Sequence, residues 1–203
     1  MKNKLLVFVA IAVSVAFSSC ATVKVSRVEA ESVVDLSGYW NDTDMRLVCK
    51  DLIDKCLSSP RVASFEAKNN RLPVIMVGRF KNDSTEHIDT SIITEKMSDA
   101  IINSGMADFV ADKTSREELR EERRDQNRAG YTSEETIKDL GGETGADFIL
   151  QGSVKTIVDK VDNKTVRTYY VSVKLINLKT NILMFKAFND SIKKIIKTNT
   201  PRL

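Results

Sequence analysis

Phe148-Ile149-Leu150-Gln151-Gly152-Ser153-Val154-Lys155-Thr156-Ile157-Val158 opens a region in which β-branched and aromatic residues replace the helical spacing found upstream. Val166 to Leu178 and Ile182 to Ile192 continue in the same character, with the turn formers Asp162-Asn163 and Lys179-Thr180-Asn181 between the runs. Three strands joined by tight turns form an antiparallel meander. On the middle strand, alternation puts Val171, Val173 and Leu175 on one face and Ser172 and Lys174 on the other. One face of this sheet should meet helices while the other stays at least partly wet. The basic residues from Lys193 to the end are expected to fray.

Outward from the meander the periods become helical. Met45, Val48, Cys49, Leu52, Ile53, Cys56 and Leu57 alternate spacings of three and one, which makes an apolar stripe on one helix face. Asp42, Thr43 or Asp44 can cap its start, and Pro60 reads as a stop beyond its end. A short connection, Arg61 to Leu72, leads to Pro73-Val74-Ile75-Met76-Val77-Gly78, a continuous apolar run that suits a strand buried on both faces. A second helix follows, capped by Asp89 or Thr90, with Ile92, Ile93, Met97, Ala100 and Ile101 inward and Gly105 at its left-handed end. Asp108 to Ala111 is a short strand, so strand, helix and strand form a βαβ unit.

Two capping boxes, Thr114-Ser115-Arg116-Glu117 and Thr132-Ser133-Glu134-Glu135, predict two more helices joined through Arg128-Ala129-Gly130-Tyr131. The first has almost no apolar face beyond Leu119 and must lie largely in solvent. The second carries Ile137 and Leu140, tolerates Gly141-Gly142 poorly and stops at Gly145. The expected fold is α+β: a mixed, mainly antiparallel sheet, made of the βαβ unit and the C-terminal three-stranded meander, flanked by about four helices.

The chain begins with Lys2 and Lys4, an apolar run from Leu5 to Phe17, and Ser18-Ser19-Cys20. Basic, apolar and small-residue parts in that order are the layout of a secretory signal. The run is short for a spanning helix, which needs about 20 residues. A cysteine directly behind two small residues resembles a bacterial lipobox, which implies that Cys20 is acylated and becomes the first mature residue. Three parts are expected: a lipoprotein signal over 1–19, the lipidated cysteine and a tether over 20–41, and one globular domain over 42–203. The tether, fully extended, reaches at most about 70 Å.

Charge is unevenly spread. From Cys20 to Leu150 there are 18 basic and 25 acidic residues, net −7; from Gln151 to Leu203 there are 11 and 3, net +8. A basic C-terminal module therefore sits on an acidic body, although the mature total of +1 offers no general field for nucleic acid. Cys49 and Cys56, seven residues apart on one helix, stand about 10 Å apart along its axis. That is beyond the reach of a disulfide, so they read as small core hydrophobes.

Catalytic chemistry finds little support. His87 is the only histidine, no Cys or His falls at metal-ligand spacing, and no strained Gly-x-Ser-x-Gly turn is present. Glu117, Glu118, Glu121 and Glu122 alternate with arginines as on a salt-bridged exposed helix. The chain is read as a binding protein without enzyme activity, cofactor, metal or small-molecule substrate. Candidate contact residues are Tyr39 and Trp40, which could equally pin the tether to the domain, and Arg167, Tyr169, Tyr170 and Lys174 on the basic meander.

Five blocks occur in series: Asp35-Leu-Ser-Gly-Tyr-Trp-Asn-Asp-Thr-Asp44, Gly78-Arg-Phe-Lys-Asn-Asp-Ser-Thr-Glu-His-Ile-Asp-Thr90, Ile102-Asn-Ser-Gly105, Glu117-Glu-Leu-Arg-Glu-Glu-Arg-Arg-Asp125 and Gly145-Ala-Asp-Phe148. With the lipobox in front, they resemble the penicillin-binding protein activators of the LpoB type over nearly the whole mature chain. The resemblance implies an outer-membrane lipoprotein facing the periplasm that binds and activates a peptidoglycan synthase, a bifunctional class A penicillin-binding protein. The other reading is an accessory lipoprotein of an envelope assembly or secretion complex.

Overall fold

The computed structural model describes residues 25–30, 32–128 and 132–198. The expected signal segment over 1–19 and Cys20 lie outside them. Two units divide the chain, Met1–Ser32 and Val33–Leu203. The described part of the first has neither helix nor strand; its one local feature is a turn closed by Ser32, whose N–H and hydroxyl both donate to the Glu29 carbonyl.

The second unit runs α1 (Asp42–Leu57), α2 (Pro60–Asn69), β1 (Val74–Asn82), α3 (Thr90–Ser104), β2 (Asp108–Phe109), α4 (Lys113–Gln126), β3 (Phe148–Val161), β4 (Lys164–Asn177), β5 (Leu183–Asn189) and β6 (Lys193–Lys197). The sheet order is β2-β1-β3-β4-β5, and β6 pairs with the outer half of β4. β1 is parallel to β2 and β3, whereas every pair beyond β3 is antiparallel. The fold is thus α+β with a mixed, mainly antiparallel sheet.

Alternation decides which face is covered. Phe148, Leu150 and Val154 of β3 and Tyr169, Val171, Val173 and Leu175 of β4 are buried against the helices, with Leu52, Ile53, Ile93, Met97 and Ile101 opposite them. Burying each such side chain contributes about 1.5–3 kcal/mol. Gly152 belongs to this inner row, where a Cβ would collide with the Phe80 ring. Cys49 and Cys56 are free and buried in the same core, and burial pushes both thiols up to about 12.

Several expectations need correction. Pro60 lies beyond the end of α1, as expected of a stop, but it also starts α2, because at the first helical position its missing N–H costs nothing. The expected connection is therefore a helix; it buries Val62 and sets Phe65 edge-on to Phe148, ring centroids 5.3 Å apart. The helix expected from Thr132 is absent. Only a turn closes on the Ser133 carbonyl, Gly142 has φ of 81°, and Leu140 stays 60 % exposed, so that segment has too little apolar surface to fix a helix. Lys193–Lys197, expected to fray, is a paired strand. The caps also shift: α1 is capped by Asn41 in a reciprocal box with Asp44, and α4 by Asp112 rather than Thr114. Asp89 caps α3 and Gly105 ends it with φ of 65°, as the sequence suggests.

α4 buries no side chain. It is held instead by Arg120 and Arg123, which grip Glu143 of the 132–145 segment, and by Asn127 Nδ2 donating to the Lys138 carbonyl.

Candidate functional site

The polar segment ahead of α1 does not hang free after Val33. It crosses the outer half of β4 and β6, on the same face of the sheet as the core. Gly38 makes this approach possible, since a Cβ there would run into Ile196. The segment is fixed by a charge network that the fold assembles from four separate stretches of chain.

Glu86 is the hub. The loop that follows β1 holds it: Asn82 Nδ2 donates to the Glu86 carbonyl, and the Asp83 N–H donates to the Val154 carbonyl. Its carboxylate accepts the Trp40 backbone N–H at 3.1 Å and the Tyr169 hydroxyl at 2.7 Å, and lies 2.9 Å from Arg167 Nε. Arg167 Nη1 donates to the Gly38 carbonyl at 2.8 Å, and its guanidinium sits 4.4 Å over the Tyr39 ring. Trp40 leans on Tyr169, ring centroids 5.2 Å apart. Both charged side chains are nearly out of water, Glu86 at 7 % and Arg167 at 11 %. Burial, reinforced by the Glu86 hydrogen bond, holds the Tyr169 phenol well above its ordinary range.

Beside it, Lys194 of β6 reaches Asp44 at 2.6 Å and Asp35 at 2.8 Å, and donates to the Tyr39 carbonyl. Burial alone would depress this ammonium, but the two carboxylates more than offset it and the net shift is upward. Burial raises the Asp44 carboxyl despite its bond to Lys194, whereas the Lys194 bond lowers that of the more open Asp35.

In this geometry Tyr39 and Trp40 attach the segment to the domain, through the Tyr39 ring beneath Arg167 and the Trp40 backbone N–H on Glu86. The same geometry turns two of the expected contact residues inward. Tyr169 is 1 % exposed with its hydroxyl spent on Glu86, and Arg167 is spent on Glu86 and Gly38, so neither presents a free surface. Both share the parity of Val171 and Leu175, and that parity is visible in the sequence. Tyr170 and Lys174 have the opposite parity and lie on the open face, half-buried and exposed respectively.

Among the described residues the open face carries no helix. Near the β3-β4 turn it shows Ile157, Val161 and Ile195, each more than half exposed, around half-buried Val166. Register puts them side by side: Asp159, Val166 and Ile195 form one row across three strands, with Val161, Lys164 and Lys197 the next. Lys155, Lys164, Lys193 and Lys197 surround the apolar centre, and none of them forms an ion pair among the described residues. Sequence reasoning missed both Ile157, which it placed in a strand without assigning it a face, and Ile195, which lay in the tail expected to fray. Among the described residues no group of carboxylates, His and Cys could hold a metal ion, and no helix is long and apolar enough to cross a membrane.

A family model described as the peptidoglycan-synthase activator LpoB matches residues 44–189. The chain belongs to the LpoB family. The match spans α1 to β5 and so includes Asp44, Glu86, Arg167 and Tyr169 but neither the docked segment before Asp44 nor Lys194. Among solved structures, the LpoB C-terminal domain from Escherichia coli is similar at 14 % identity and TM-score 0.44, covering 76 % of this chain and 99 % of that one. The Salmonella enterica LpoB C-terminal domain gives 15 % and 0.41 with the same coverage. Lipoprotein GNA1162 from Neisseria meningitidis gives 11 % and 0.37, over 64 % of this chain and 88 % of that one. No curated protein sequence matches.

Proposed function

We propose that this LpoB-family protein is a lipoprotein anchored through Cys20 in the outer membrane, that it faces the periplasm, and that it binds and activates a bifunctional class A penicillin-binding protein. The family match supports the activator reading, and the signal-like start ending in Cys20 supports the anchor. The observation that carries the contact is the uncovered sheet face. An apolar centre of Ile157, Val161 and Ile195 ringed by unpaired lysines has the anatomy of a protein interface, and it suits an apolar patch with an acidic rim. Tyr170 borders it as an aromatic neighbour, Lys155↔Tyr170 being register partners. Tyr39, more than half exposed beneath Arg167, lies on the other face and would contribute only by holding the docked segment.

Pulldown from native envelopes with mass spectrometry, followed by synthase assays with the purified pair, tests this. Recovery of a class A synthase and a raised polymerisation rate are expected. Ile157→Glu with Ile195→Glu should abolish both while leaving the thermal midpoint within a few degrees, because the two side chains are exposed. Recovery of an export or assembly complex with no synthase would favour an accessory subunit instead.

A further inference from the structure

Three pairs of cations face each other directly across neighbouring strands: Arg167 and Lys194, Lys164 and Lys197, and Lys174 and Lys186. Like charges so placed destabilise a sheet. The first pair is neutralised by Glu86, Asp44 and Asp35. The second stands at the strand ends, where long side chains splay into water. The third stands mid-sheet, with no ion pair among the described residues, and Arg79 and Lys81 line the same hollow.

That hollow measures about 520 Å³ and lies on the open face. Arg79 and Lys81 come from β1, Gln151 and Ser153 from β3, Ser172 and Lys174 from β4, and Lys186 from β5. Four strands at about 4.8 Å spacing make it about 14 Å across. Its floor is short and polar, the Ser153 and Ser172 hydroxyls lying 3.2 Å apart, and Asp83 is the single acid in its lining. Unlike the pair at the strand ends, Lys174 and Lys186 are opposed in the middle of the sheet, with the Ser153 and Ser172 hydroxyls in the next row.

We propose that this hollow is a binding site for a small polyanion bearing two or more phosphate or carboxylate groups. One anionic group would sit between Lys174 and Lys186 and remove their mutual repulsion. A second would meet Arg79, whose planar fork suits either group, with Lys81 beside it. The serine hydroxyls would donate from the floor between them. The site is separate from the apolar patch assigned to the synthase and does not depend on that assignment.

Titration of the purified full-length protein with tripolyphosphate and with citrate at constant ionic strength, followed by amide chemical shifts and thermal unfolding, tests it. Saturable shifts at residues 79–83, 151–153, 172–174 and 186 are expected. Lys174→Gln with Lys186→Gln should weaken binding at least about tenfold, through the loss of two charge-assisted contacts. Lys164→Gln with Lys197→Gln should leave it within about twofold. Without ligand, the first variant should melt no lower than the parent, since it removes a repulsion, which separates lost binding from lost folding. Equal weakening by both variants would reduce the effect to general charge and overturn the site. Tighter binding of hexaglutamate than of either small anion would overturn it in favour of a protein contact.

Discussion

Glu86 serves three groups at once: the Trp40 backbone N–H, the Tyr169 hydroxyl and the Arg167 guanidinium, whose only counterion among the described residues it is. Removing one partner of a buried ion pair costs about 3–5 kcal/mol, mostly because the remaining charge loses its counterion away from water. Glu86→Gln keeps an acceptor for Trp40 and Tyr169 and isolates only Arg167, so it should lower unfolding stability by an amount of that order. Glu86→Gln combined with Arg167→Met should recover most of the loss. Trp40 is the only tryptophan, so its emission reports on the docked segment, and it should shift towards that of exposed indole in the single variant. Unchanged emission and stability in Glu86→Gln would show that the network does not hold the segment. The parity of Val171, Val173 and Leu175 already places Tyr169 and Arg167 inward, but nothing in the local pattern of Thr85-Glu86-His87 shows that a carboxylate will be waiting there. The partner comes from a loop 83 positions away, and only the tertiary fold brings the two together.

Strands and helices with a long, regular period were readable, because one face of each had to be buried and the spacing of apolar residues records that face. β3, β4 and α1 fall close to their expected spans for this reason. The failures occurred where the burial signal was short. α2 has only Val62 fully buried, and Thr132 to Gly145 has capping residues without an apolar stripe to cap. β6 is five residues long and is stabilised by what it meets: Lys194 on Asp44 and Asp35, and Ile196 against Gly38. Ending the chain after Ile192 should therefore destabilise the domain by more than a frayed tail would, through Asp44 left buried without its cation. Asp44→Asn in the shortened chain should restore part of the loss, since Asn retains an acceptor for the Asn41 N–H. Alkaline unfolding reads the same contact. The folded state raises the pKa of Lys194, so its contribution is complete below the ordinary lysine value of 10.5 and is lost as pH rises through the folded value. Comparing unfolding at pH 8 and at about pH 11.5 should show a steeper fall for the parent than for Lys194→Met; parallel slopes would mean that β6 is not held by this lysine.

The charge asymmetry of the sequence becomes a spatial one. The basic C-terminal third forms the meander, and its wet face carries lysines with no ion pair among the described residues, whereas its inward Arg167 and Lys194 are matched by Glu86, Asp35 and Asp44 from the acidic part. Docking of Val33 to Asn41 also shortens the span left for a tether, from Ala21 through Ser32, to about 40 Å when fully extended. An anchor with so short a lead would act by confining the domain near one membrane, raising its effective concentration for a partner without adding contacts. Cys20→Ala separates these two contributions. In cells it should abolish labelling by a palmitate analogue, release the protein from the membrane fraction and lower synthase stimulation. With purified synthase in detergent, the same variant should stimulate as well as the parent, since the open sheet face is untouched. Label retained on Cys20→Ala would remove the lipid assignment. Lost stimulation of the purified synthase would show instead that the N-terminal segment itself belongs to the contact, and would return attention from Ile157 and Ile195 to Tyr39 and the residues before it.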